Sequence, residues 1–169
     1  MRTTAMSSVQ TFVTNGGKQN FVWSDYIGFL VFAMGFIMET ASDAQLAKHI
    51  ANPDPDKGKF CKTGFWRYTR HPNYFGEAML WWGLFIVSLG IPKGYITVFS
   101  PLIITLLLRY VSGVPPLERK AKKHPEWAQY EAETSIFIPW FYDKDAAPKK
   151  DDSYSPTDEK QPLNQPKIQ

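Results

Sequence analysis

Residues 74–91, YFGEAMLWWGLFIVSLGI, form an almost wholly apolar stretch in which Glu77 is the only charged side chain. Residues 25–41, DYIGFLVFAMGFIMETA, and residues 96–111, ITVFSPLIITLLLRYV, are similarly apolar. A helix needs roughly 17 to 25 residues to cross a bilayer, and a backbone in lipid must satisfy its own hydrogen bonds. The sequence therefore predicts an all-α, multi-pass transmembrane domain with about three spans and short cytosolic helices. A soluble bundle is the alternative, but little amphipathic helix is left to cover these stretches.

Polar residues are concentrated at the two ends of the chain. Residues 1–20 contain no continuous apolar core, so no signal peptide is expected there. Residues 143–169 hold five lysines, six acids and four prolines, a composition that predicts a disordered tail. We therefore divide the chain into a polar N-terminal segment (1–22), a membrane domain (23–142) and a disordered cytosolic tail (143–169).

Positive charge orients the predicted spans. Residues 92–95, which join the second and third stretches, carry only Lys93. Basic residues are instead concentrated in the long loop before the second stretch and in the segment after the third: Lys48, Lys57, Lys59, Lys62, Arg67 and Arg70, then Arg109, Arg119, Lys120, Lys122 and Lys123. By the positive-inside rule, the long loop and the C-terminal region face the cytosol.

A basic motif directly precedes the second stretch. Pro72 suits the first turn of a helix, because its missing N–H needs no partner there. The free N–H groups and the dipole of such a helix start favour an anion, most naturally a phosphate. The side chains around it are Arg67, Arg70, His71 and Asn73. A basic cluster that meets lipid headgroups explains the same spacing equally well.

Carboxylates lie near the cytosolic ends of two stretches. Glu77 is one turn inside its helix, on a face it can share with Asn73 and Tyr74. An ionisable group at that depth marks a site or a pairing with a buried cation. Glu39 and Asp43, four residues apart, repeat the theme on the first stretch. A helix-end cap or an ion pair is the alternative for this second pair.

Several function classes find little support in the composition. A net charge of +3 is too small to indicate nucleic-acid binding. We find no metal-ligand spacing and no Gly-rich dinucleotide fingerprint, and we expect no metal. The single cysteine, Cys61, excludes an intramolecular disulfide.

The motifs carry a resemblance to a known family. Residues 64–77, GFWRYTRHPNYFGE, followed by LWWG at 80–83, resemble the C-terminal part of the steroid 5-alpha-reductase-like family, in its DUF1295 branch. ETASDAQ at 39–45, SGVPPLE at 112–118 and the segment 130–141 resemble further elements of that branch. The resemblance covers about residues 21–142.

The resemblance implies an oxidoreductase that reduces a carbon–carbon double bond of a sterol or other lipid, with NADPH as cofactor. It places Asn73 and Glu77 on the nicotinamide carboxamide. The rest of the implied cofactor-binding set is Asp43, Arg67, Arg70, His71, Tyr74 and Tyr130. By analogy with the family, the membrane would be the endoplasmic reticulum. Family members carry more membrane helices before this part, and those supply the lipid pocket and the catalytic acid, so we expect a cofactor half without its substrate half.

Two other interpretations stay open. Membrane methyltransferases share an Arg-His-Pro-x-Tyr element and use it to bind S-adenosylmethionine, whereas the Asn-Tyr-Phe-Gly-Glu continuation favours the reductase. The chain is alternatively a non-catalytic membrane remnant or a partner-binding protein, because the helices that contain the catalytic acid are not among the predicted spans.

Overall fold

The computed structural model describes residues 21–53 and 58–147, and the predicted all-α class is confirmed for this part of the chain. Within these residues, five α-helices follow one another: α1 (Trp23–Ala51), α2 (Pro72–Ser88), α3 (Phe99–Leu106), α4 (Val114–Ala121) and α5 (Trp127–Glu133). Short 3-10 helices at Gly64–Arg67 and Gly94–Val98 precede α2 and α3, and a π-helical turn at Leu107–Val111 follows α3. Residues 1–20 of the predicted N-terminal segment and residues 148–169 of the predicted tail lie outside the described residues.

In the described part of the chain, two helical stretches, Trp23–Ala51 and Gly94–Ala121, are long and apolar enough to cross a membrane. Many of their large apolar side chains point outward; Leu30, Ile37 and Ile103 are each more than half exposed. Exposed apolar surface of this extent is typical of a face that contacts lipid. By length and composition, these helices indicate a membrane protein.

The helix boundaries differ from the predicted ones at three places. α1 continues ten residues beyond residue 41 to Ala51, because residues 42–51 lack Gly and Pro and place Lys48 and His49 at the C-terminal end of the helix dipole. α2 has 17 residues and ends at Ser88 rather than at residue 91. The third predicted span is divided into 3-10, α and π turns instead of one regular α-helix.

α1 and α2 pack closely along a line of glycines. Gly28 and Gly35 on α1 face Gly83 and Gly76 on α2. A Cβ atom built on Gly28 would lie 2.7 Å from the carbonyl oxygen of Gly83, closer than real Cβ atoms come to other atoms. Only residues without a side chain allow this approach of two helix backbones.

The segment after α5 folds back onto the residues before α2. The Arg70 N–H donates to the Ser135 carbonyl at 2.8 Å, and the Trp140 N–H donates to the Tyr68 carbonyl at 2.9 Å. The Thr69 hydroxyl donates to the Phe137 carbonyl at 3.0 Å. This closing segment (residues 134–141) therefore holds the basic motif against the start of α2.

Candidate functional site

The N-terminus of α2 borders a cavity of about 270 Å³. His71 is the cap residue and Pro72 the first helical residue, as the sequence predicts. Four of the predicted cofactor-binding residues line the cavity together with aromatic side chains: Arg70, His71, Asn73 and Tyr130, with Trp66 and Trp127. We call this the α2 cavity.

Arg70 is buried and its donors are largely bound by protein groups. Its Nε donates to Glu118 Oε1 at 2.8 Å, and its Nη1 donates to the carbonyls of Glu131 and Thr134 at 2.9 and 2.6 Å. These carbonyls lie at the end of α5, where carbonyls lack helical partners. Arg70 thus joins α4, α5 and the start of α2; its contact with a cofactor phosphate stays a prediction.

His71 shares the carboxylate that binds Arg70. Its Nε2 lies 3.3 Å from Glu118 Oε1, and its ring lies parallel to the Tyr74 ring, with the ring centroids 5.7 Å apart. Since an ionised carboxylate only accepts hydrogen bonds, the proton of this contact is on Nε2. Glu118 and Tyr74 therefore fix the orientation of the His71 ring at the edge of the cavity.

Asn73 lines the α2 cavity at the start of the helix. Its Oδ1 accepts the Tyr74 N–H at 3.0 Å, which occupies the oxygen. Among the hydrogen bonds of residues 21–53 and 58–147, none uses the Asn73 Nδ2 donors. Asn73 is therefore a donor that is free for a ligand.

Three carboxylates come together between α1 and α2. Glu77 and Asp43 both act electrostatically on Glu39, and Glu39 Oε2 is buried without a hydrogen-bond partner in the described part of the chain. Within the same part, none of the three forms a salt bridge, and no group of three or more His, Cys, Asp or Glu side chains could hold a metal. This carboxylate cluster (Glu39, Asp43 and Glu77) is suited to accept hydrogen bonds or to meet a cation.

Arg67 lies apart from Arg70. It is exposed, and its guanidinium stacks over the Tyr142 ring, 4.7 Å from the centroid. Burial and a hydrogen bond to Glu133 raise the pKa of Tyr142, so this ring remains neutral near pH 7. Arg67 therefore keeps its charge toward solvent, where an anion can reach it.

Tyr130 is buried beside the cavity. Its hydroxyl donates to the Trp66 carbonyl at 2.8 Å, and its ring stacks on Phe60 with 5.8 Å between centroids. Burial raises the pKa of Tyr130, which keeps the hydroxyl protonated. Since Trp66 Nε1 in turn donates to the Ser42 carbonyl at 2.8 Å, Tyr130 connects α5 to α1 through the 3-10 helix.

Trp127 is a member of the site that the sequence did not indicate. It is 5% exposed, and its Nε1 donor has no partner among the residues that the structure describes. A buried N–H without a partner is costly unless a ligand or water accepts it. Nothing in the sequence distinguishes Trp127 from the other five tryptophans, because the feature arises only when α5 packs against the motif.

A second cavity of about 420 Å³ adjoins the first, and Phe60 contributes to the lining of both. Lys48, His49 and Lys62 give it a basic lining. Lys62 donates to Glu133 at 3.3 Å, whereas Lys48 has no salt bridge in the described residues. The two cavities together offer a polar, aromatic end and a basic end.

Comparison with known families gives a match over most of the chain. The family described as "Protein of unknown function (DUF1295)" matches residues 2–134, which includes α1 to α5 and stops before most of the closing segment. No curated protein and no solved structure matches the chain.

Proposed function

The chain belongs to the DUF1295 family, and on that premise we propose that it is an NADPH-dependent reductase of a carbon–carbon double bond in a lipid or sterol. The resemblance of residues 64–77 to steroid 5-alpha-reductase-like proteins supports this activity. The observation that carries the proposal is the α2 cavity, which is lined by Asn73, with its unused Nδ2 donors, and by Trp127, whose Nε1 has no partner in the described residues. Glu77 lies one helical turn after Asn73 on α2 and does not itself line this cavity.

The sizes of the two cavities fit a cofactor whose nicotinamide end lies in one cavity and whose phosphates lie toward the other. The α2 cavity, about 270 Å³, is just below the roughly 300 to 1,000 Å³ of a ligand pocket and suits the nicotinamide end alone. The phosphates would lie toward the basic second cavity of about 420 Å³, near Lys48 and Lys62, and toward exposed Arg67. Guanidinium and ammonium groups are the side chains that bind phosphate in proteins.

The two groups proposed for the nicotinamide carboxamide, Asn73 Nδ2 and the Glu77 carboxylate, form no hydrogen bond or salt bridge within the described residues. Asn73 Nδ2 would donate to the carboxamide oxygen, and the Glu77 carboxylate would accept the carboxamide N–H. Arg70 positions these groups by holding α5 against the start of α2. NADPH, when bound, supplies the hydride. We assign no residue to protonation of the substrate.

S-adenosylmethionine is the second candidate cofactor, and one observation favours it. The carboxylate cluster has no cationic partner in residues 21–53 and 58–147, and its negative charge would stabilise a sulfonium or an ammonium group. A membrane methyltransferase is therefore the alternative that an experiment must separate from the reductase.

Titration of the detergent-solubilised full chain with NADPH and with S-adenosylmethionine separates the two. We expect NADPH to bind, and Glu77→Gln to weaken it roughly tenfold to a hundredfold, as loss of a charge-assisted hydrogen bond does. Asp145→Asn removes an exposed carboxylate that lines neither cavity and should leave the affinity unchanged. Binding of S-adenosylmethionine without NADPH would favour the methyltransferase, and binding of neither would contradict both.

A further inference from the structure

A third cavity lies on the opposite face of α2 from Asn73 and Glu77. It has a volume of about 800 Å³ and is open on one side. Phe75, Met79 and Trp82 line it from α2, and Phe137 and Trp140 line it from the closing segment. Positions 75, 79 and 82 form one stripe of the helix, about half a turn away from 73 and 77. We call this the lipid-side groove, and the proposed cofactor contacts do not use it.

One cation interrupts this apolar lining. Arg109 is half-buried and is the only charged residue among those that line the groove. Its guanidinium stacks over the neighbouring Tyr110 ring at 4.7 Å, and within the described residues it forms no salt bridge. A half-buried charge in an apolar helix is costly unless a counter-charge meets it. Arg109 is therefore the group of this lining that an anion would meet.

The local backbone supports a functional role for Arg109. It lies in the π-helical turn Leu107–Val111, in the second stretch that is long and apolar enough to cross a membrane. Single π-helical turns inside helices occur frequently at functional sites, since they change the direction of the side chains that follow.

A free hydroxyl lies one turn before Arg109. Thr105 Oγ1 accepts the Trp82 Nε1–H at 3.2 Å, which leaves the hydroxyl proton of Thr105 available to another acceptor. Ser135, also in the lining, is already bound, because its hydroxyl contacts the carbonyls of Tyr68 and Ile138. The groove thus combines one cation, one available donor and a long apolar surface.

We infer that the lipid-side groove binds a long-chain fatty acid, with the carboxylate on Arg109 and the alkyl chain along Phe75, Met79 and Trp82. A planar guanidinium pairs with one carboxylate through two parallel hydrogen bonds. The volume of about 800 Å³ lies within the range of a pocket for one small ligand and favours a single chain over a two-chain phospholipid. This inference is independent of NADPH binding.

The test measures binding of tritiated oleate to the full chain in non-ionic detergent without nucleotide. Oleyl alcohol has the same chain without the charge and serves as the matched ligand. We expect one saturable oleate site per chain, with roughly tenfold to a hundredfold higher affinity than for the alcohol. Arg109→Gln should remove this difference in affinity. Arg109→Lys should keep part of it, because lysine keeps the charge but lacks the two parallel N–H donors of a guanidinium.

Arg119→Gln is the matched control variant, since Arg119 is exposed on α4 and does not line the groove. It should bind oleate like the unchanged protein. Thermal unfolding checks that each variant is folded. If Arg109→Gln does not fold, the test is the ratio of the affinities for oleate and oleyl alcohol, measured in the unchanged protein and in Arg109→Lys. Equal affinity for oleate and alcohol, or unchanged oleate binding in Arg109→Gln, overturns the inference. Displacement of oleate by a lower concentration of dioleoylphosphatidylglycerol also overturns it, because the groove would then hold a bilayer phospholipid.

Discussion

Gly35 on α1 and Gly76 on α2 lie against each other's backbone at the helix crossing. A Cβ atom on Gly35 would lie 2.7 Å from the Gly76 carbonyl oxygen, and one on Gly76 would lie 2.7 Å from the Glu39 backbone nitrogen. Gly76 directly precedes Glu77 in the chain. The glycine contact therefore sets the separation between the helix that carries Glu77 and the helix that carries Glu39, and with it the geometry of the carboxylate cluster.

Replacement of Gly35 should disrupt this crossing. Gly→Ala usually stabilises a helix by up to about 1 kcal/mol, but here the new methyl group would contact backbone atoms that have no freedom to move. Overpacking of this kind costs about 1 to 3 kcal/mol, so we expect Gly35→Ala to lower the unfolding temperature in detergent and Gly35→Leu to lower it more. Ala33→Leu, at an exposed position of the same helix, is the control. If Gly35→Leu unfolds at the temperature of Ala33→Leu, the close contact is absent in solution.

Replacement of Glu118 should lower the free energy of unfolding more than replacement of Glu131, the other carboxylate near Arg70. It binds both Arg70 and His71, and Arg70 would remain buried without its counter-charge in Glu118→Gln. Removal of one partner from a buried pair costs about 3 to 5 kcal/mol. Glu131→Gln is a matched control, because Glu131 lies 3.8 Å from Arg70 but is 30% exposed, and it should cost less than about 1 kcal/mol. Chemical unfolding of both variants in detergent measures the difference; similar losses would contradict the structural role of the Arg70–Glu118 pair.

Hydropathy predicted the long helices because a stretch of apolar residues is sufficient to identify them. It could not predict where α1 ends, since residues 42–51 mix polar with apolar side chains yet continue the helix to Ala51. The seven-residue spacing of Gly28 and Gly35 is matched by that of Gly76 and Gly83, a signal that the sequence contains. Which glycines face each other depends on the crossing itself and needed the structure.

The predicted site residues divide in a way that local sequence does not reveal. Arg67 and Arg70 are three residues apart, yet Arg67 is exposed while Arg70 binds Glu118, 48 positions away, and the Thr134 carbonyl, 64 positions away. Contacts at such separations depend on the packing of α4 and α5. Helix periodicity did predict that Asn73 and Glu77 lie on one face, because that relationship is local.

Part of the stability that is lost at acid pH should come from the ionised Glu133 carboxylate. Burial alone would raise its pKa, but hydrogen bonds from Gln129 and Tyr142 and the nearby Lys62 ammonium hold the pKa below its ordinary value of 4.5. A lowered folded-state pKa contributes stability that is present above the unfolded value and is lost as pH falls through the folded value. Glu133→Gln should therefore lower the free energy of unfolding near pH 7, by less than about 1 kcal/mol since Lys62 is partly exposed. The difference from the unchanged protein, measured by chemical unfolding in detergent, should shrink below about pH 4.5. Asp145→Asn is the control, and a difference that does not change with pH would contradict the role of the ionised carboxylate.

The long loop and the C-terminal region should lie on the same side of the membrane. They contact each other directly, since the Lys59 N–H donates to the Glu126 carboxylate at 2.9 Å and the Arg70 N–H donates to the Ser135 carbonyl at 2.8 Å. The turn at Pro92 follows the other end of α2, so it should lie on the opposite side of the membrane, as the positive-inside rule also predicts. The sidedness of these two regions can be tested with single cysteines in a Cys61→Ala background. In sealed microsomes, a membrane-impermeant maleimide should label Lys123→Cys without detergent and Pro92→Cys only after permeabilisation. Both positions are exposed, so the difference in labelling should come from the side of the membrane on which each lies. Cys61→Ala alone should remain unlabelled. Labelling of both cysteines without detergent would show that α2 and the stretch after it do not form a transmembrane hairpin.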